Sequence, residues 1–297
     1  MKNTTADLYD RVAAQSAAVV IRQYSTSFSL AVRLLAVEIR PHVANVYALV
    51  RIADEMVDGA AAAKIEVSAI GRQLDDLEAE VERAIKCGYS TNLIVHAFAR
   101  TARAAGFGQE LTRPFFSSMR SDLQPAAFTR ESFEQYIYGS AEVIGLMCLR
   151  AFLIGQCDAT GTYEALKDGA RHLGAAFQKI NFLRDLSMDF MVLGRSYFPD
   201  LVPDRLTDAQ KDGLLDDIDR DLLISKAAIS ALPPGSRRAV ALAHALFSEL
   251  SRRTRRTPAN DLLQRRIRVP NRVKLRLVVA AALTLVSFSR AETPADV

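Results

Sequence analysis

Apolar positions recur at three- and four-residue intervals along nearly the whole chain, and the two-residue alternation of a half-buried strand is almost absent. This rhythm predicts helices at about 7–23, 29–36, 42–58, 64–86, 91–105, 109–121, 130–156, 162–190, 207–231, 236–255 and 272–290. The hydroxyl cluster Tyr24-Ser-Thr-Ser-Phe28 separates the first two, and Arg40-Pro41 halts the second. Gly59 is placed to stop the third. No linker or low-complexity tract divides the chain, so one all-α domain over 1–297 is the economical architecture. The charged tail Arg290–Val297 is expected to fray.

Two of these helices break the ordinary amphipathic pattern. Within 42–58, Tyr47, Arg51, Asp54, Glu55 and Asp58 share an arc of roughly 100°. Every other face carries apolar residues, among them Leu49, Ile52 and Met56. Within 162–190, Gln178, Asn181, Asp185 and Asp189 share roughly 80°, with Ile180, Phe182 and Leu183 elsewhere. A helix apolar on most sides is buried, so its carboxylates face something other than bulk water. Like charges at i, i+4 repel, and desolvation raises that cost, so cations should balance them. One arrangement brings the stripes together around a hard cation, Mg²⁺ first and Mn²⁺ as the alternative, with a phosphorylated substrate completing the shell. The other is a buried ion-pair network with Arg51 and Arg184 as partners. Asp217 and Asp221 are also four apart, but charge surrounds them on nearly every face, which predicts a solvated helix. The acidic run Asp75–Glu82 reads the same way.

Composition adds boundaries. The chain has 297 residues, 49% hydrophobic and 24% charged, with only 14 Gly and 10 Pro, which favours helix. Cys87, Cys148 and Cys157 form no metal-binding spacing, and their odd number suits a reducing, cytoplasmic setting. The opening MKNTTADLYD has no apolar segment of a secretory leader. The apolar run Leu275–Phe288 is interrupted by Arg276, Thr284 and Ser287, and falls short of the ~20 residues that span a bilayer. A net charge of +4 admits anionic partners without choosing one. The four histidines (His42, His96, His172 and His244) have no ligand spacing and read as structural or surface groups.

With those residues in view, the chain resembles the squalene/phytoene synthase family of head-to-head prenyl transferases. The resemblance is clear over about 24–200. It rests on Ser25-Thr-Ser27-Phe28, on Arg51 through Asp58, on Tyr136 through Gly145, and on Gln178 through Asp189 with the trailing Gly194-Arg195-Ser-Tyr197. It implies an isoprenoid synthase helical bundle around a central cavity. It implies Asp54, Asp58, Asn181, Asp185 and Asp189 as metal ligands, with the four aspartates and Tyr136 catalytic. It also implies Ser25, Ser27, Phe28, Tyr47, Arg51, Gln178, Asn181, Arg195 and Tyr197 as substrate-binding. Candidate cavity walls are Phe28, Tyr136, Ala141, Val143, Gly145, Leu146 and Phe182.

Three positions depart from the family pattern. Glu55 replaces an aspartate, Thr26 replaces a lysine, and Glu142 stands where a glycine would permit close helix packing. The implied reaction joins two geranylgeranyl diphosphates through a cyclopropyl diphosphate to phytoene, releasing diphosphate and using no NADPH. The moderate size of Leu30, Ala31, Val32 and Ala44 favours that C20 substrate. The alternatives are a squalene- or dehydrosqualene-type enzyme using farnesyl diphosphate, and a non-catalytic relative serving assembly. No nucleic-acid partner is implied. The insolubility of the product and the basic run Arg252–Arg268 suggest peripheral contact with membrane lipid, against the plainer reading of a solvated helix end. Oligomeric state is not encoded in any pattern here.

Overall fold

A computed structural model describes residues 5–59, 64–123, 128–191, 195–199 and 201–288, with the backbone alone for residue 27 and residues 282–288. The side chain of Ser27, Gly194 of the trailing motif, and the tail Arg290–Val297 therefore lie outside the described residues. The described residues are predominantly helical and contain no strand.

The helices are α1 Thr5–Tyr24, α2 Thr26–Val32, α3 Arg40–Asp58, α4 Val67–Cys87, α5 Leu93–Ala105 and α6 Gln109–Ser121. They continue as α7 Arg130–Ile137, α8 Val143–Phe152, α9 Ala159–Met191, α10 Asp208–Ala231, α11 Pro234–Arg255, α12 Ala259–Leu262 and α13 Asn271–Phe288. A π-helical segment, Tyr138–Glu142, joins α7 to α8. Among these helices none is long and apolar enough to cross a membrane.

Two boundaries differ from the sequence reading. The hydroxyl cluster separates two helices as expected, but the break is the single residue Ser25, and α2 begins at Thr26 instead of residue 29. Ser25 is the N-cap of α2, its Oγ accepting from the Phe28 amide at 3.1 Å. The single helix expected at 130–156 is three pieces, because the π segment inserts an extra residue per turn between α7 and α8. Apolar periodicity survives that insertion, so sequence pattern alone reads straight through it.

The core has two main parts. The larger gathers α3, α4, α5, α6 and α8 around Phe98, Phe115, Phe116, Leu49 and Met147. The smaller gathers α9, α10 and the 197–206 segment around Phe182, Leu183, Tyr197 and Leu215. Asn45 pins α3 to α5, donating to the Ala97 carbonyl and to Thr101, each at 3.0 Å. α9 lies against α8, the π segment and α10, and α10 packs in turn on α11.

Glycine permits the closest of these crossings. A Cβ on Gly174 would stand 2.5 Å from the Ala141 carbonyl, and one on Gly145 would stand 2.5 Å from the Ala170 carbonyl. The small residue opposite Ala141-Glu142 thus comes from α9. Close packing at this crossing survives Glu142, whose largely covered carboxylate accepts from Arg171 at 2.6 Å.

A second expectation fails on α10. Asp221 is 6% exposed, held by Lys179 Nζ at 2.8 Å and His172 Nδ1 at 2.7 Å. Asp217 is half-exposed and shares the same lysine at 2.5 Å. Charges on every face of α10 therefore do not mean a solvated helix: α9 supplies matching charges across the contact. The acidic run on α4 is solvated only in part: Asp75 and Asp76 are exposed, while Glu78 is 15% exposed and pairs with Arg120 of α6 at 2.5 Å.

Candidate active site

α3 and α9 flank an apolar cavity of about 300 Å³. α2, α3, α8, α9, α10 and α11 contribute its walls. Tyr47, Gln178 and Asn181 reach it from the two polar stripes, and Phe28, Ala141 and Gly145 line it as expected. Of the four residues singled out for substrate size, Ala31 and Val32 line it, while Leu30 and Ala44 do not.

Four expected wall residues sit elsewhere. Val143 and Leu146 are packed into the larger core. Phe182 stacks on Tyr197 with ring centroids 3.9 Å apart and planes 9° apart. Tyr136 is buried beside that pair, its centroid 5.4 Å from Tyr197. The reason is helical phase: these side chains leave their helices toward the neighbouring cores, away from the cavity face.

Three of the four stripe aspartates, Asp54, Asp58 and Asp185, already have arginine partners. Arg51 donates to Asp54 at 2.5 Å and also pairs with Glu55. Its guanidinium lies 4.5 Å from the Tyr24 ring centre. Arg184 donates to Asp185 at 2.5 Å, and Arg266 reaches the same carboxylate at 2.6 Å. Arg195 pairs with Asp58 and donates to the Asp122 carbonyl at 2.7 Å and to Tyr197 Oη at 3.2 Å. Ser25, at the α2 cap, lies near enough to Tyr47 of the α3 stripe to oppose the rise that burial imposes on its phenol. Ion pairs and a facing geometry of the two stripes thus coexist.

Compensation of these carboxylates is incomplete. Burial pushes Asp54 up to about 6, with Asp58 and Glu55 adding to the rise against Arg51. Burial pushes Asp189 up to about 7, helped by the fields of Asp185 and of Asp58 from the opposite stripe. The last contribution shows that the α3 and α9 stripes sense one another across the mouth. The Asn181 Oδ1 atom is buried and has no hydrogen-bond partner. An orphaned oxygen beside destabilised carboxylates fits a hard divalent cation. Among the described residues no three carboxylate or imidazole groups gather tightly enough to cage an ion unaided. The donor set therefore suits an ion that shares its shell with phosphate oxygens.

Sequence reasoning missed two residues here. Asp122, at the end of α6, is buried and accepts from Tyr136 Oη at 2.9 Å and Tyr197 Oη at 3.2 Å. Burial and the Asp58 field push it up to about 7. Tyr136 itself is raised well above the ordinary phenol range by burial and by Asp122. Asp122 is a single acid flanked by no stripe, so no local pattern marks it. Arg266 was read only as part of a basic run. Most of that run is in fact internally paired: Arg252 and Arg253 with Glu249, Arg255 with Asp216 and Asp219, and Arg265 with Asp261.

Comparison with known proteins bears on the family and the fold. The family model described as squalene/phytoene synthase matches residues 21–273. A chloroplastic phytoene synthase from Zea mays is 31% identical over 183 residues, covering 61% of this chain and 41% of that protein. A 15-cis-phytoene synthase from a Paracoccus strain is 29% identical over 182 residues, covering 60% of this chain and 57% of that protein. The matches therefore span about half the length of these relatives. Among solved structures, a dehydrosqualene synthase in complex with ligand superposes with a TM-score of 0.74 at 20% identity, covering 94% of this chain and 98% of that one. A squalene synthase from Alicyclobacillus acidocaldarius gives 0.70 at 20% identity, covering 84% and 95%. At that identity the superpositions speak for the fold alone.

Proposed function

Because the chain belongs to the squalene/phytoene synthase family, we propose that it is a prenyl transferase joining two geranylgeranyl diphosphates head-to-head into phytoene. The observation that carries this reading is the meeting of two acidic stripes at the mouth of an apolar cavity. A diphosphate leaving group needs charge stabilisation, and the allylic carbocation left behind needs dry walls. The mouth supplies the first and the cavity the second.

Each residue has a role in that proposal. Asp54, Asp58, Asn181, Asp185 and Asp189 would hold Mg²⁺, which when bound neutralises charge on the departing diphosphate. Arg51 and Arg195 present planar guanidinium groups suited to bidentate contact with phosphate oxygens. Tyr47 and Ser25 stand where they would orient the same group. Gln178 lines the entrance, and Phe28 forms an aromatic wall with Phe177 and Phe247, at centroid distances of 6.2 and 6.0 Å.

Tyr136 and Tyr197 act at one remove, through Asp122 and Arg195. Departing diphosphate, held by these arginines, is the base that takes the final proton. Contact with a membrane surface, where an insoluble product would leave, belongs to the same proposal.

The test is incubation with labelled C15 and C20 diphosphates and Mg²⁺, with and without NADPH, followed by product chromatography. Phytoene from the C20 substrate without NADPH is expected. A C30 product from the C15 substrate alone would replace this reading with the squalene-type one. Absence of any condensation product would reject both.

A further inference from the structure

The helix α13 is covered on one side and open on the other. Leu277, Val278 and Ala281 pack on Ala31, Leu242, Ala243 and Leu246. On the open side Leu275 is 66% exposed and Val279 47%, with Arg272 and Arg276 exposed beside them. At 100° per residue these four side chains fall within an arc of roughly 100°, opposite the packed one. An apolar pair flanked by cations on one helix face suits the boundary between a lipid bilayer and water. No described helix is long and apolar enough to cross a bilayer, so α13 would lie in its plane.

Charge selects the kind of surface. No Asp or Glu stands between Asp261 and Glu292, whereas Arg265, Arg266, Arg268, Arg272, Lys274 and Arg276 do. Arg265 is held by Asp261, Arg266 by Asp185, and Lys274 donates to Thr26 at 3.4 Å. Among the described residues, Arg268, Arg272 and Arg276 have no acidic partner. Leu223 on α10 is the contrast: it is 70% exposed, but Asp216 and Asp219 share its side of that helix. Only the α13 face therefore combines exposed apolar groups with uncommitted positive charge and no acid. Its position matters too, because Ala31 and Ala243, on which α13 rests, also line the catalytic cavity.

We propose that α13 docks in the plane of an anionic lipid bilayer, with Leu275 and Val279 inserted among the acyl chains and Arg268, Arg272 and Arg276 on the lipid phosphates. The proposed function enters only through the cargo, an insoluble hydrocarbon; the face and the lipid charge follow from α13 itself.

The full chain should be floated with vesicles of phosphatidylcholine, with and without phosphatidylglycerol. Two variants belong beside it: Arg268→Glu/Arg272→Glu/Arg276→Glu and Leu275→Glu/Val279→Glu. Each arginine near an anionic surface is worth about fivefold in partitioning, so the wild type should prefer the anionic vesicles by roughly a hundredfold. That preference should vanish in molar salt and in the triple variant. The double variant should bind anionic vesicles about tenfold or more weakly than the wild type. The chain has no Trp, so Leu275→Trp carries a single indole. Its emission should shift to the blue on anionic vesicles, while that of Leu223→Trp should not. Unchanged circular dichroism establishes that each variant is folded.

Equal binding to both vesicle types overturns the proposal, as does no binding to either. So does a triple variant that still prefers anionic vesicles, or an equal blue shift at the α10 position. A blue shift of Leu275→Trp that needs no lipid and grows with protein concentration would make the face a contact between copies of the chain, and also overturns it. Product assays in detergent judge the catalytic reading separately: docking without condensation sinks only that reading, and condensation without docking sinks only the membrane face.

Discussion

Asp185 and Asp189 on α9 and Asp217 and Asp221 on α10 have the same spacing, lie on helices in contact, and end in opposite situations. On α10 the buried Asp221 meets Lys179 and His172 from α9, and the lysine's own charge is held by Asp217 and Asp221 against the pull of burial. On α9 the Asp185 carboxylate draws Arg184 and Arg266, while Asp189 is driven up to about 7. The first pair is neutralised in place and serves packing. The second carries unspent negative potential toward a cavity mouth. What separates structure from chemistry here is the completeness of the local counter-charge, since spacing and burial are common to both.

The largest effect expected from breaking that contrast is on turnover. Asp54→Ala or Asp185→Ala should lower product formation by on the order of a thousandfold or more, with melting temperature nearly unchanged. Wild-type rates in either variant would remove the acidic mouth from the reaction.

The reverse is expected on α10. Asp221→Ala leaves Lys179, only 15% exposed, with the half-exposed Asp217 as its one remaining acidic partner, at a cost of about 3 kcal/mol. For a chain of this size that lowers the melting temperature by roughly 5 °C, while catalytic rate at low temperature is retained. A rate loss without destabilisation would merge the two pairs into one functional class.

A third prediction concerns pH. Asp122, Asp189 and Asp54 have folded-state values of about 7, 7 and 6, above the ordinary 3.8. Their protonated forms favour the fold, so this contribution is complete below pH 4 and is lost as pH rises through 7. Melting temperature should therefore fall between pH 4.5 and 7.5. Asp122→Asn, which keeps an acceptor for Tyr136 and Tyr197, should reduce that fall. A pH profile unaltered by the substitution would show that the Asp122 proton is not coupled to folding.

The smallest effect belongs to Asp217→Asn. Its half-exposed pair with Lys179 is worth under about 1 kcal/mol, and only a slight shift in melting is expected. A loss as large as that of Asp221→Ala would mean that the two acids act as a unit.

The sequence shows the fold wherever periodicity is local. Most helix limits, such as those of α3, α5 and α6, fall within a residue or two of expectation, because capping and burial there are decided within a few turns. Both acidic stripes are legible for the same reason: a stripe is a property of one helix. Contacts across the chain are not. Asp122 reaches Tyr197, and Arg266 reaches Asp185, over separations that leave no trace in spacing. Asp221 was misread because charge on every face looks alike whether water or another helix supplies the partner. The close approach once expected to fail at Glu142 survives through Gly174, a compensation that only the folded crossing reveals.

The π segment at Tyr138–Glu142 has an evolutionary corollary. It is the signature of one surplus residue in an otherwise regular helix, so deleting one residue there would restore α-helical winding. Everything upstream would then rotate by about 100° relative to the cavity-lining stripe below. Tyr136 would swing off Asp122, while Gly145, Cys148 and Phe152 kept their places. Insertion or deletion at this point is a gearshift that re-indexes the tyrosine network around Asp122 without disturbing the cavity wall of α8, so the two can diversify independently along one continuous rod.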